Sequence, residues 1–167
     1  KNNLRSGAYY NRYFFTLSQR YLDNESGQIK QPLNSTLNMS TVQLFSQWNY
    51  RANEKLTFNS GLHMLLLTDN KTYSVEPRFS AKYELSEKQS FSLGYGHHSQ
   101  TQPIGVYETQ IELTDGEYYQ PNKNLGFNKA HHFVLGYDRS LTKYLRIKTE
   151  TYYQYLYHIA VENDPTS

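Results

Sequence analysis

The sequence predicts an all-β chain: an antiparallel up-and-down meander of about seven long strands, part of a transmembrane β-barrel. Three observations predict it. Tyr73 to Leu85 alternates strictly with period two, the composition is rich in aromatics and poor in aliphatics, and short turns recur at every second connection. In the alternating stretch, Tyr73, Val75, Pro77, Phe79, Ala81, Tyr83 and Leu85 are interleaved with Ser74, Glu76, Arg78, Ser80, Lys82 and Glu84. Successive side chains of a strand point to opposite faces, so one face is greasy and the other carries alternating charge. A helix would scatter both sets around its axis. At about 3.4 Å per residue the stretch reaches about 44 Å, against about 5–6 residues for an ordinary strand. Tilted by about 40°, it crosses an apolar band about 25 Å tall. Pro77 has no N–H for a ladder, so a bulge or an unpaired position is expected there.

The composition narrows the function classes. The chain has 167 residues, enough for one domain with a sizeable core. Its net charge of +2 comes with no stripe of Lys and Arg, so nucleic acid is not an expected partner. It has 17 Tyr, 8 Phe and 1 Trp, yet only 37% hydrophobic residues. That balance suits a sheet that is polar on one side and girdled by aromatics on the other. Without cysteine there is no disulfide framework, thiolate metal site or cysteine nucleophile. No apolar run reaches the 18 or so residues of a membrane helix, which excludes a helical span but not a barrel. No signal peptide opens the chain, and KNNLRSGAYY and VENDPTS look like cut ends, so a fragment of something larger is expected.

Taken in order, Leu4 to about Tyr21 reads as a strand with blurred alternation that admits a bulge or early bend. A long loop is expected at about 22–37, where Asn24-Glu25-Ser26-Gly27 and Pro32 are breakers. Asn38 to Arg51 is the next strand, followed by a tight turn at 52–55. Leu56 to about Thr68 returns, and its run Met64–Leu67 suggests burial on both sides. After a turn at 69–71 comes the alternating strand, then a turn at 86–89 and a strand from Ser90 to about Gln102. A second long loop is expected at about 103–129, with Pro103, Gly105, Asp115-Gly116 and Pro121. Ala130–Leu141 and Leu145 to about His158 complete the set, joined near 142–144, and no convincing helix appears. Short turns thus fall at one end of the meander and long connections at the other, as in outer-membrane barrels.

The segments SFSLGYGHHSQTQPIGVY, NKNLGFNKAHHFVLGYDRSL and RIKTETYYQYLYHIAVEND together resemble the C-terminal barrel half of Bacteroidetes-type TonB-dependent outer-membrane receptors. The resemblance covers most of the chain and is strongest from Ser90 to Glu162. It implies a bacterial outer-membrane location and a barrel of about 22 strands closed by a plug domain. It also implies energy-coupled uptake of a scarce ligand through a TonB-type energy-coupling protein. About seven strands cannot close that barrel, and no plug domain or final strand with a terminal aromatic is present. Residues 1–167 are therefore expected to be a partial barrel domain whose partners are outer-membrane lipid, the remainder of the barrel, the plug domain and an unknown ligand. The competing readings are a soluble ligand-binding barrel or sandwich, and a non-transporting outer-membrane barrel such as an adhesin or assembly protein.

Candidate sites follow from the same alternation. Val75, Phe79, Tyr83, Phe91, Leu93, Leu145 and Ile147 are expected to face lipid, and Tyr153, Tyr155 and Tyr157 to form an interfacial belt. Glu76, Arg78, Lys82, Glu84, Arg146, Lys148 and Glu150 are expected to face the lumen as cross-strand ion pairs that do not converge on a pocket. His98, Gln100 and Gln102 at a strand mouth, with Tyr118 and Tyr119 in the long loop, are the candidate ligand contacts. His97-His98 and His131-His132 could bring His98 to one of the later pair, but with no Cys and no carboxylate at ligand spacing, neither a metal site nor a cofactor is expected. No Ser-His-Asp arrangement, phosphate-cradling loop or metalloprotease helix appears, so no enzymatic activity is expected.

Overall fold

The structure is a computed structural model and describes residues 2–22, 27–113 and 117–161. Its strands are β1 (Asn2–Leu22), β2 (Ile29–Arg51), β3 (Leu56–Leu67), β4 (Thr72–Ser86), β5 (Gln89–Gln100), β6 (Ile111–Glu112), β7 (Tyr118–Tyr119), β8 (Asn128–Ser140) and β9 (Arg146–Tyr157). Seven of them form one antiparallel sheet in the order β1-β2-β3-β4-β5-β8-β9, so the all-β meander is as the alternation predicts. The short β6–β7 hairpin and a four-residue helix, α1 (Ile104–Tyr107), lie in the excursion between β5 and β8. The sheet is open: among the described residues, β1 and β9 each pair on one side only.

Two expectations change. The segment 22–37 is mostly strand, because the β1–β2 ladder continues from Asn11↔Thr41 to Leu22↔Ile29. Pro32 does not break it. Gln19 pairs Leu33 and Tyr21 pairs Lys30, so Gln31 and Pro32 oppose the single residue Arg20 in a bulge. A residue without an N–H fits where the ladder is already interrupted. Since β3 ends opposite Thr41, the β1–β2 hairpin overhangs the rest of the sheet. The segment 103–129 is not structureless, and α1 corrects the expectation of no helix. The expected breakers Asn24-Glu25-Ser26 and Asp115-Gly116 lie outside the described residues.

Register assigns every strand residue to one of two faces. Phe79↔Tyr95, Ala81↔Leu93, Leu93↔Leu135 and Tyr95↔Phe133 lie on one, the apolar face. Arg78↔Gly96, Lys82↔Ser92 and Asp138↔Lys148 lie on the other, the polar face. The hydrophobic core is small and sits on the polar face at the long-connection end. There Leu65 and Leu67 of β3 pack with Tyr107 of α1 and Phe127, with Met39 and Leu125 against them. Asn70, in the β3–β4 turn, pins the excursion by donating to the carbonyls of Lys123 and Leu125 (3.3 and 3.1 Å). Leu65 and Leu67, which break the polarity of β3, are therefore apolar because a loop covers them.

Candidate functional site

The site starts at Pro77. On the β3 side β4 is paired from Thr72 to Tyr83, including Leu62↔Pro77. On the β5 side the ladder runs from Glu84↔Ser90 to Arg78↔Gly96 and stops. Alternate residues of a strand turn their N–H and C=O to the same neighbour, so Pro77 shares a side with Val75. The Val75 carbonyl points toward β5, where it accepts from His97 Nδ1 at 2.9 Å. The missing N–H of Pro77 thus falls on the β5 side, and the unpaired position expected there is found. Beyond it the two strands part, and side chains replace the ladder.

His97 and Glu76 fill this fork. A carbonyl only accepts, so His97 Nδ1 carries the proton, and in the neutral ring Nε2 accepts from the Tyr157 hydroxyl at 2.7 Å. Glu76 is 2% exposed. Its Oε1 accepts from the Ser99 N–H at 3.2 Å and also from the Ser99 hydroxyl. Its Oε2 accepts from Arg78 Nη2 at 2.9 Å and meets His63 Nδ1 at 3.0 Å. His63 Nε2 in turn meets the Gln43 amide oxygen at 3.2 Å. A buried carboxylate persists only when paired and hydrogen-bonded, and this one is both. The expectation that these charges do not converge is corrected: Glu76 and Arg78 converge with His63 and Ser99.

The remaining charges stay dispersed. Lys82–Glu84 (3.0 Å) and Lys148–Glu150 (2.7 Å) pair along a single strand, and of these remaining pairs among the described residues Arg146–Asp138 alone reaches across two. The expected cross-strand arrangement therefore holds for one of the three. All seven residues predicted to line a lumen share the polar face. Six of the seven predicted to meet lipid share the apolar face, and Leu145 lies just before β9, exposed.

The candidate ligand contacts separate. His98 sits on the polar face with its ring over Gly96, where an added Cβ would lie 2.6 Å from Nε2. It meets His132, ring centroids 4.7 Å apart, while His97 meets His131 on the apolar face at 5.1 Å. Gln100 is exposed at the end of β5. Gln102 is buried and committed to structure: its amide donates to Gly126 O and Asn128 Oδ1 (3.3 and 2.7 Å), and its N–H donates to the Tyr107 hydroxyl (3.2 Å). Burial pushes the Tyr107 phenol up, against the opposing pull of that N–H. Tyr118 and Tyr119 stand exposed on β7. Among the described residues, no group of three or more His, Asp or Glu could hold a metal ion.

The residues that sequence reasoning missed are His63, Gln43 and Ser99. The signal available for them was Pro77 beside Glu76, which marks where a ladder must fail. No protein-family model, curated protein or solved structure matches the chain.

Proposed function

We propose that this chain is a wall segment of an outer-membrane TonB-dependent receptor barrel, with lipid on its apolar face and a wet lumen on its polar face. One observation carries the reading. The chain's own long excursion folds onto the polar face and leaves the apolar face bare. Leu62, Phe79, Leu93 and Leu135 are each 44–55% exposed in the middle of the sheet, while Glu76 on the opposite face is 2% exposed. A soluble sandwich does the reverse, packing its apolar face inward and wetting the polar one. Long strands, short turns at one end and the longest excursion at the other support the same reading. So do the clustered rings of Tyr95, His97, His131, Tyr155 and Tyr157 toward the long-connection end, where an aromatic belt belongs. The open edges of β1 and β9 are where further strands would pair. Energy-coupled uptake and the plug come with the family resemblance.

The test is Phe79→Arg in the full-length receptor. Near the bilayer midplane arginine on the lipid face costs about 2–4 kcal/mol. Barrel assembly and heat stability, read from the gel mobility of unheated and heated samples, are expected to fall. Unchanged assembly overturns the face assignment, and detergent-free monodispersity of the native protein favours the soluble alternative.

A further inference from the structure

A transverse row on the polar face carries a second reading. Arg5, Gln47, Gly61, Arg78, Gly96 and His132 are successive cross-strand partners on six neighbouring strands. With strands about 4.8 Å apart, Arg5 stands about 14 Å to one side of Arg78 and His132 about 10 Å to the other. Glycines flank Arg78 on both sides: the His98 ring covers Gly96, while Gly61 puts no side chain of its own beside the guanidinium. The hollow over this row has a volume of about 590 Å³. Its lining includes two arginines and three histidines, Arg5, Arg78, His63, His98 and His132, and no Asp or Glu.

The nearest carboxylate does not neutralise it. Glu76 is buried in the fork, saturated by Ser99, Arg78 and His63. Arg78 gives it one nitrogen and stays half-exposed, and a guanidinium has five N–H donors in a planar fork that suits an oxyanion. Arg5 makes no ion pair among the described residues and lies over the Phe45 ring, 6.0 Å from its centroid. His98, partly buried with Nε2 against Gly96, makes no side-chain hydrogen bond among the described residues and lines the hollow. One row along, Asn49, Asn59 and Ser80 form a ladder of amide and hydroxyl groups.

We propose that this hollow binds an organic anion whose carboxylate sits on Arg78, with Arg5 and His132 to either side and the same molecule's hydroxyl groups on Asn59 and Ser80. The chemistry is complementary: the donors that Arg78 has left after its bond to Glu76, with the unpaired Arg5 beyond, for the carboxylate, amides and hydroxyls for the rest, and Gly61 beside Arg78 to admit close approach. The inference deepens the receptor reading, on which it rests only in that a ligand reaches this face. It places the contact on the sheet rather than on the long loop.

The experiment is calorimetric titration of the full-length protein in detergent micelles with glucuronate, and with glucose as its uncharged counterpart. Glucuronate is expected to bind saturably and glucose at least about tenfold more weakly, since only the former makes the charge-assisted bonds. Arg78→Gln is expected to weaken glucuronate about tenfold or more, and Arg5→Gln, which acts on the anion through its field from three strands away, about two- to threefold. Because Arg78→Gln also loosens Glu76, Arg5→Gln, whose melting is expected to stay as wild type, keeps the test independent of folding. Equal binding of the two sugars, no glucuronate binding, or wild-type affinity in Arg5→Gln overturns the inference. Any of these with normal barrel assembly leaves the receptor reading standing, and Phe79→Arg bears on that reading alone.

Discussion

The two halves of β4 are held to β5 in different ways. From Arg78 to Tyr83 the strand lies in a two-sided ladder, with β3 on one flank and β5 on the other. From Thr72 to Pro77 only β3 pairs with it, and β5 is joined through side chains: His97 on the Val75 carbonyl and Ser99 on the Glu76 carboxylate. The difference traces to one missing N–H. Where backbone pairs with backbone, side chains are free to be exposed and interchangeable. Where it cannot, specific side chains must satisfy the backbone, and these become buried, polar and irreplaceable. Beside the fork lies the only hydrophobic core among the described residues, so the same end of the polar face is both the most buried and the most specific.

The sharpest way to break the comparison is Glu76→Ala. It leaves the Ser99 N–H, His63 and Arg78 without their acceptor. Removing one partner of a buried pair costs about 3–5 kcal/mol. The lower figure is expected here, because Arg78 keeps its access to water. Urea unfolding of the intact protein in micelles, followed by circular dichroism, measures it; a loss within error of wild type means the fork does not depend on its carboxylate. His97→Ala comes next. It orphans the Val75 carbonyl and the Tyr157 hydroxyl; both belong to residues that are not buried, so the expected cost is at the low end of the about 1–3 kcal/mol of an unsatisfied buried group. Amide exchange should rise around Val75 and Tyr157 more than around Lys82, and uniform exchange would remove the distinction between the halves.

How much of this was legible follows from what period two determines. It assigns each residue to a face with no knowledge of its neighbours, which is why Phe79, Tyr83 and Leu93 fall opposite Glu76, Arg78 and Lys82 as expected. It does not give register, because a strand's alternation is unchanged by a slip of two residues. The row from Arg5 to His132 therefore exists only once six strands are aligned, and nothing near any of its members announces it. The long excursion hid its role for a different reason. Tyr107 and Phe127 end two short apolar patches, Ile104–Tyr107 and Leu125–Phe127, in an otherwise polar segment, a pattern equally consistent with exposed ring contacts, and only their meeting with Leu65 and Leu67 identifies a cap. Pro32 misled in the opposite direction: a breaker in isolation, it sits in a bulge that lets the hairpin run on.

Lys82→Ala sharpens the comparison from the regular half, with the smallest effect of the three. Lys82 bonds Glu84 at 3.0 Å, and both side chains are about half exposed. Such a pair gains little Coulomb energy in water and spends side-chain entropy to form, so the expected change is within about 1 kcal/mol. The backbone around Lys82 pairs with Thr57 on one side and Ser92 on the other whatever side chain it carries. The substitution should therefore leave the urea midpoint and the protection of its own amide near wild type, and raising salt should change neither. If Lys82→Ala instead costs as much as Glu76→Ala, side chains hold both halves of β4 alike, and the missing N–H at Pro77 is not what separates them.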